Sequence, residues 1–144
     1  MKKELLVLMA VFALLAVAVV IQRRADAAQE SGNVSRLAVV WSSGDPDVAH
    51  RVCFMYAHNA KKQKWFDEVT LIVWGPSARL LAGDKDLQAE VTAMLKDGIK
   101  VEACIACADS YGVTDTLRKL GVDVKPMGKP LTDMLKQNQN ILTF

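Results

Sequence analysis

The sequence predicts a three-layer α/β sandwich built around a mostly parallel five-stranded sheet. Two continuous apolar runs, residues 37–41 and 69–74, are typical of strands that are buried on both faces, as in parallel sheets. Segments with apolar residues at helical spacing lie between the strands. Strand and helix therefore alternate along the chain, which predicts right-handed crossovers with helices on both faces of the sheet.

The predicted elements follow one another without an internal repeat. Asp45-Pro46 is typical of a helix start, because an acidic cap precedes proline in the first turn. Gly98 is expected to end a helix in the left-handed conformation. In order, we predict strand 37–41, helix 46–62, strand 69–74, helices 77–81 and 85–97, strand 100–104, helix 114–121, strand 122–125, helix 129–136 and strand 140–143. One face of the first helix is predicted to be lined by Val48, Val52, Met55, Tyr56 and Ala60.

The N-terminal 27 residues differ in composition from the rest. Residues 5–21 are an unbroken apolar run between Lys2-Lys3 and Ala25-Asp26-Ala27. This pattern is typical of a secretory signal, and the run is also long enough to cross a bilayer as a helix. We therefore predict a signal peptide or transmembrane anchor at 1–27, a linker at 28–35 and one α/β domain at 36–144. The domain is expected in the cell envelope, either exported to the periplasm or anchored in the inner membrane by residues 5–21.

The charge of the predicted domain argues against nucleic-acid binding. The full chain has 18 lysines and arginines and 16 aspartates and glutamates. Four of the basic and two of the acidic residues lie within 1–27, so residues 28–144 carry 14 of each and are neutral. The basic residues form no stripe or tail apart from a short run at 61–64, which is expected at a solvated helix end.

The other short motifs predict neither a phosphate site nor a metal site. The loop 42–46 contains one glycine, whereas a dinucleotide fingerprint needs three and a P-loop needs Gly-Lys-Ser or Gly-Lys-Thr. This loop lies at the same sheet edge as the end of the third strand and is expected to line a pocket there. His50 and His58 lack the closely spaced ligand pairs of structural zinc sites. Cys53 is expected to be a small buried apolar residue.

Cys104 and Cys107 form the most informative motif, a CxxC pair where the third strand gives way to a turn or helix. Open α/β proteins place ligands and catalytic groups at this edge. A helix N-terminus favours anions, so a cysteine there is expected to form a thiolate near neutral pH. Three chemistries fit the pair: a dithiol redox site, half of a metal site, or a sulfur-carrying nucleophile. A thioredoxin-like site is less favoured, because it would follow an early strand rather than the third.

The segment 104–113 resembles the DsrE/DsrF family of sulfur-relay proteins. Cys104 matches the cysteine that ends the third strand in the DsrE and TusD members, and Gly112 matches a family glycine. Tyr111 stands where the family has an arginine. Matches to the Thr-Cys-Met-Asp-Ala-Arg-Gly motif of the YchN-like branch are Cys107, Asp109 and Gly112. The loop after the first strand and the run 73–81 are also similar, and the resemblance extends to the C-terminus.

The resemblance implies a DsrE-like fold and sulfur transfer. In this interpretation Cys104 attacks a donor persulfide, holds the terminal sulfur as its own persulfide and passes it to an acceptor thiol, with Cys107 as a second or resolving thiol. Because the chemistry is thiol exchange, we expect no metal ion and no other cofactor. The implied partners are sulfur-donor and sulfur-acceptor proteins or small persulfides, and the implied assembly is a homo-oligomer, trimeric or hexameric. The pocket is expected to be lined by Ser43, Gly44, Asp45, Gly75, Asp109 and Gly112.

Two other functions stay open beside a sulfurtransferase or sulfur-relay carrier. An envelope dithiol–disulfide protein would use Cys104 and Cys107 for redox exchange. A non-catalytic oligomeric binding module would keep both thiols inert. Reactivity of the thiols toward an alkylating probe separates the third function from the first two, and the mass of the protein after exposure to a persulfide donor separates the first two from each other.

Overall fold

Five parallel strands form one sheet at the centre of the domain, in the order β4-β3-β2-β1-β5. The computed structural model describes Ile21 and residues 34–144. The strands are β1 (Arg36–Trp41), β2 (Glu68–Val73), β3 (Lys100–Cys104), β4 (Asp123–Lys125) and β5 (Asn140–Thr143). All pairings between these strands are parallel, and helices lie on both sides of the sheet, so the predicted fold class is confirmed.

Helices connect the strands, and local sequence explains several of their ends. The Asp45 carboxylate accepts the N–H of Asp47 at 2.8 Å and thereby caps the first helix. Gly98 has a φ of 82° after the helix that precedes β3. The helical elements are α1 (Pro46–Val48), the π-helix π1 (Ala49–Phe54), α2 (Met55–Lys62), α3 (Pro76–Gly83), α4 (Lys85–Lys96), α5 (Ile105–Ser110), α6 (Thr114–Lys119) and α7 (Gly128–Lys136).

The two faces of the sheet are covered unequally. Because side chains alternate along a strand, Leu37 and Val39 of β1 point to one face, whereas Ala38 and Val40 point to the other. The first of these, here called the main face, carries the larger core, to which every helix from π1 to α6 contributes buried residues. The second, here called the α7 face, is covered by Met127 and by partly buried residues of α7.

The first helical segment differs from the prediction in which residues it buries. The π-helix π1 has a wider turn than an α-helix, so it rotates the side chains that follow it. Val52 and Met55, which uninterrupted α-helical spacing places inside, are 42% and 57% exposed. The predicted face is therefore wrong at Val52 and Met55, because it assumed 3.6 residues per turn throughout, whereas Ala60 is buried and Tyr56 packs against the core. The buried residues of this segment are Ala49, Cys53, Phe54, Ala57 and Ala60.

The predicted signal or anchor at 1–27 lies outside the described residues apart from Ile21, and so does most of the linker at 28–35. Among the residues that the structure describes, no helix combines the length and the apolar character needed to cross a membrane. Residues 35–144 form one compact unit.

Candidate functional site

Ser77 holds the carboxyl ends of β1 and β2 together. Its buried hydroxyl donates to the carbonyl oxygen of Trp41 at 2.6 Å and accepts the N–H of Trp74 at 3.0 Å. The N–H of Trp74 also donates to the carbonyl oxygen of Trp41, at 3.0 Å. The two strands therefore end side by side, at the sheet edge where parallel α/β proteins place their sites.

Gly75 makes the turn from β2 into α3. Its φ of 72° lies in the left-handed region, which glycine adopts without the strain that a side chain brings. Pro76 follows as the first residue of α3. The backbone N–H of Gly75 donates a hydrogen bond to the sulfur of Cys107. The Gly75-Pro76 sequence therefore ends a strand, begins a helix and supplies a backbone donor to a thiol.

Cys104 and Cys107 meet at the start of α5. Cys104 is the last residue of β3 and the N-cap of α5, with an extended backbone of φ −70° and ψ 115°, and Cys107 lies in the first helical turn. Their side chains share a hydrogen bond, and both are free thiols. Cys104 is 6% exposed, whereas Cys107 is partly exposed. The structure therefore brings the predicted pair together, and solvent reaches it on the Cys107 side.

The pKa of Cys107 lies above its ordinary value. Burial is the largest cause, because it disfavours the thiolate; the N–H of Gly75 lowers the pKa, and the hydrogen bond and charge of Cys104 raise it. The neighbouring Cys104 therefore adds to the effect of burial in disfavouring the thiolate form of Cys107. For Cys107, the direction of this shift runs against the thiolate expected near neutral pH. The helix α5 has only six residues, and its positive end does not offset the burial.

Cys104 lies in the apolar cluster of the α7 face. It shares this cluster with Ile72 of β2 and with Met127, both of which are fully buried. Trp74 and Cys107 border the same cluster. This apolar lining covers most of the Cys104 side chain, which is 6% exposed.

A charged group lies beside Cys104 on the α7 face. Lys125 is opposite Cys104 in the register of β3 and β4, and its Nζ lies 2.8 Å from Glu102 and 2.6 Å from Asp123. We call these three charged residues the ionic cluster. Burial lowers the pKa of Lys125, but its hydrogen bonds to the two carboxylates outweigh burial and hold the pKa above its usual value. The second carboxylate oxygen of Glu102 is buried and has no hydrogen-bond partner within the described part of the chain.

The predicted pocket residues of the first loop have two different surroundings. A Cβ atom on Gly44 would lie 3.2 Å from the Cβ of Pro76, so this loop packs against the start of α3. Gly44 and Pro76 line a cleft that begins next to Gly75. Ser43 and Asp45 instead hold their own loop, since the Ser43 hydroxyl accepts the N–H of Asp45 at 3.1 Å and Asp45 caps α1.

The predicted pocket residues Asp109 and Gly112 shape the chain after α5. The Asp109 carboxylate accepts a hydrogen bond from the hydroxyl of Thr114, which ties α5 to α6. Gly112 has a φ of 65°, and its N–H donates to the carbonyl oxygen of Asp109 at 3.0 Å. Both residues therefore help to fix the turn that ends the cysteine-bearing helix.

Arg79 lies near the site although no sequence motif singled it out. Its guanidinium is 5.3 Å from the centre of the Tyr111 ring. Tyr111 stands where the resembled motif has an arginine, so a positive charge reaches this position from α3 instead of from α5. The sequence did hold a signal. Arg79 follows Gly75 by four residues and Tyr111 follows Cys107 by four, which is about one helical turn in each case.

The two histidines and the third cysteine belong to the helices of the main face. His50 Nδ1 lies 2.6 Å from Glu90 Oε1, and His58 Nε2 lies 2.6 Å from Asp97 Oδ2. In the part of the chain that the structure describes, no group of three or more His, Cys, Asp or Glu is placed to hold a metal ion. Cys53 is fully buried, which confirms its prediction as a buried residue, and burial raises its pKa to about 12.

Comparison with known proteins identifies the family. Residues 35–144 match the DsrE/DsrF-like family, and this match covers the sheet, all the described helices and both thiols of the site. The chain belongs to the DsrE/DsrF-like family. The family is related to sulfur relay, so the resemblance expected from the CxxC segment is confirmed at this level.

Two solved structures resemble this family member. The conserved protein of unknown function BT1422 from Bacteroides thetaiotaomicron is 36% identical with a TM-score of 0.74, and the match covers 76% of this chain and 95% of that one. The YchN protein from E. coli is 15% identical with a TM-score of 0.60, covering 78% of this chain and 100% of that one, and this likeness shows the fold. No functionally curated protein matches the chain.

Proposed function

We propose that this DsrE/DsrF-like protein is a sulfur carrier that holds sulfur as a persulfide on Cys104 and passes it to an acceptor thiol. The observation that carries the proposal is the contact between two free thiols at the end of β3, with the N–H of Gly75 on the second sulfur. The relation of the family to sulfur relay supports it independently.

The two thiols differ in their surroundings, which suggests a different role for each. Burial and the neighbouring Cys104 raise the pKa of Cys107, so Cys107 is a poor nucleophile near neutral pH. Cys104 also matches the cysteine that ends the third strand in the resembled family. Cys104 is therefore the residue that attacks the donor and carries the sulfur.

The proposed transfer consists of two thiol-exchange steps. In the first, the Cys104 thiolate attacks the terminal sulfur of a donor RS–SH, the donor S–S bond breaks, RS⁻ leaves and Cys104 becomes Cys–S–SH. In the second, the acceptor thiolate attacks the same terminal sulfur, and Cys104 leaves as the thiolate. Each step forms one S–S bond and breaks another, so there is no net oxidation or reduction.

Cys107 gives the loaded protein a second outcome when no acceptor arrives. The Cys107 thiolate attacks the Cys104 sulfur, a Cys104–Cys107 disulfide forms, and the carried sulfur leaves as HS⁻. The raised pKa of Cys107 slows this reaction near neutral pH, because only the thiolate attacks. An external thiol reductant then restores the two thiols. Cys107 is therefore a slow resolving thiol.

The proposal includes a location and an assembly. The apolar run at residues 5–21 supports a place in the cell envelope, exported or anchored in the inner membrane. The donors and acceptors are then proteins or small persulfides of that compartment, and the domain works as a homo-oligomer, a trimer or a hexamer. Recovery with membranes, or a mature chain that begins after Ala27, is the expected result of expression. An intact chain in the soluble fraction would contradict both forms of the N-terminal proposal.

Mass spectrometry after treatment with a persulfide donor tests the sulfur-carrier proposal. Wild type is expected to gain one sulfur atom on Cys104, and Cys104→Ser is expected to gain none there. Cys107→Ser is expected to load and to keep its persulfide longer than wild type. Cys53→Ser is the matched control, because that thiol is fully buried on the main face. Loading of Cys104→Ser to the level of wild type would contradict the proposal.

A dithiol–disulfide redox protein is the second candidate, because the two thiols are already in contact. Such a protein would form the Cys104–Cys107 disulfide on exposure to an oxidised disulfide, and its Cys107→Ser variant would retain no added sulfur after persulfide treatment. A non-catalytic binding module would leave both thiols unmodified in either reaction. The persulfide mass in Cys107→Ser therefore separates the sulfur carrier from the other two functions, and disulfide formation in wild type separates the redox protein from the binding module.

A further inference from the structure

A cleft lies between the loop after β1 and the loop that joins α3 to α4. Its volume is about 570 Å³, which is within the range of small-molecule sites. Gly44, Pro76, Leu80 and Gly83 form its uncharged walls. The cleft begins one residue from Gly75, whose N–H binds the sulfur of the partly exposed thiol.

Three charged side chains also line the cleft, and their balance is positive. The Asp84 carboxylate is occupied as the cap of α4, because it accepts two backbone N–H groups of the first turn at 2.9 and 3.0 Å. Lys85 donates to the neutral amide oxygen of Gln88 at 3.0 Å, so no acid neutralises it there. Arg79 forms no ion pair with a carboxylate among residues 34–144. Two cations therefore face a cleft whose single acid is engaged elsewhere.

Arg79 is oriented by Tyr111, over whose ring its guanidinium lies at 5.3 Å. Stacking on an aromatic face holds the guanidinium plane and leaves its N–H groups available for a bidentate contact with a carboxylate. Gly75 and Cys107 meet at the starts of α3 and α5, and Arg79 and Tyr111 meet one turn later. Because a helical turn rises about 5.4 Å, the cation and the sulfur stand roughly one turn apart along adjacent helices.

We propose that this cleft binds a low-molecular-weight thiol or persulfide that carries a carboxylate. Arg79 and Lys85 bind the carboxylate, and the sulfur of the ligand points toward the Cys104–Cys107 pair, where Cys104 exchanges sulfur with it by the two steps proposed above. The inference rests on the proposed sulfur transfer and names the chemical class of its donor or acceptor. A separation of one helical turn suits an amino-acid or short-peptide thiol, in which few covalent bonds lie between sulfur and carboxylate.

Calorimetry with S-methylglutathione tests the cleft, because this probe keeps both carboxylates while its sulfur is blocked. The full chain is expected to bind the probe about tenfold more tightly than the diethyl ester of the probe. Arg79→Met is expected to weaken binding of the acid by about tenfold and to leave binding of the ester unchanged. Lys85→Met is expected to have a smaller effect of the same kind.

Two sets of controls test the position of the charge. Arg51→Met removes an exposed arginine that pairs with Asp47 away from the cleft, so it is expected to bind the probe as wild type does. Tyr111→Phe keeps the aromatic face and is expected to retain the affinity. Tyr111→Leu removes the face and is expected to lose part of the affinity for the acid alone.

Equal affinity of wild type and Arg79→Met for the acid overturns the proposal, and so does equal affinity of wild type for acid and ester. Absence of binding to wild type also overturns it and favours a protein partner for this face. Because the probe has no free sulfur, binding does not depend on persulfide chemistry. Binding without persulfide loading would refute the sulfur carrier and keep the cleft, whereas loading without binding would refute the cleft alone.

Discussion

The cysteines on the main face and on the α7 face of the sheet differ in how many helices cover them. On the main face, helices from π1 to α6 close over the strands, and Cys53 is fully buried with a pKa raised to about 12. On the α7 face, one helix covers the strands, and Cys104 lies against the partly exposed Cys107. Burial that stabilises the fold also makes a thiol unreactive, and the pair that we propose as reactive lies on the face that fewer helices cover.

Strand β3 shows how one strand serves both faces. Val101 and Ala103 point into the core of the main face, whereas Cys104 points to the α7 face and Glu102 lies two residues before it. The same alternation places Lys125 of β4 beside Cys104. The side chains that point to the main face therefore form the larger core. Those that point to the α7 face place both apolar and charged groups around the Cys104 sulfur.

The largest expected effect comes from truncating one fully buried residue on each face. Leu71→Ala on the main face and Met127→Ala on the α7 face are each expected to lower the free energy of unfolding by about 3 kcal/mol, because each leaves a cavity. Met127→Ala alone is expected to speed alkylation of Cys104, since it removes a cover of that sulfur. Urea unfolding and alkylation of the folded proteins measure the two effects.

A control on α7 sharpens this comparison. Leu135 is 59% exposed, so Leu135→Ala is expected to change neither stability nor alkylation appreciably. Faster alkylation of Cys104 in Leu71→Ala, under conditions where that variant stays folded, would show that the two faces are not separate in their effect on the thiol.

The next effect tests the ionic cluster beside Cys104. Lys125→Met leaves the Glu102 carboxylate, which is 14% exposed, without its cation, and is expected to cost about 1–2 kcal/mol because the pair is only partly buried. Urea unfolding of wild type and Lys125→Met measures this cost. Adding Glu102→Gln should restore part of the stability. A double variant that is less stable than Lys125→Met would contradict this account.

The sequence was sufficient for features that depend on neighbouring residues. Strand β3 and strand β5 have the predicted bounds, because a short run between turn residues determines a strand locally. Features that depend on distant residues were missed. The contact of Arg79 with Tyr111 needs the packing of α3 on α5, and the place of Lys125 beside Cys104 needs the register of β4. The π-helix π1 leaves no local mark in the composition.

A smaller effect is expected from replacing Gly75, whose N–H binds the Cys107 sulfur, than from the changes above, and Gly112 offers a matched control. Gly75 and Gly112 both have positive φ, 72° and 65°, and at neither would a Cβ atom meet another atom within 4 Å. Gly75→Ala and Gly112→Ala are therefore each expected to cost about 1 kcal/mol through backbone strain alone.

The two glycine variants should differ at the thiols. The N–H of Gly75 lowers the pKa of Cys107, so a displaced N–H is expected to raise that pKa further and to slow alkylation of Cys107 at a given pH. Gly112→Ala is expected to leave the rate unchanged. The pH dependence of Cys107 alkylation measures this effect, and equal profiles for the two variants would show that the N–H of Gly75 does not act on the sulfur.

The smallest effect belongs to the main face, where His58 of α2 binds Asp97 at the end of α4. The hydrogen bond from His58 is the main cause that holds the pKa of Asp97 below its usual value, which is about 3.9. A carboxylate with a lowered folded-state pKa stabilises the protein above its unfolded-state pKa, and this contribution is lost as the pH falls through the lowered value.

Wild type should therefore unfold at slightly more urea than His58→Gln at neutral pH, by the small margin typical of exposed pairs. This difference in urea midpoint should vanish in acid. Asp97→Asn and the double variant Asp97→Asn/His58→Gln should unfold at the same urea concentration at every pH. A margin that persists well below the usual aspartate pKa would assign the effect of His58 to packing rather than to its hydrogen bond.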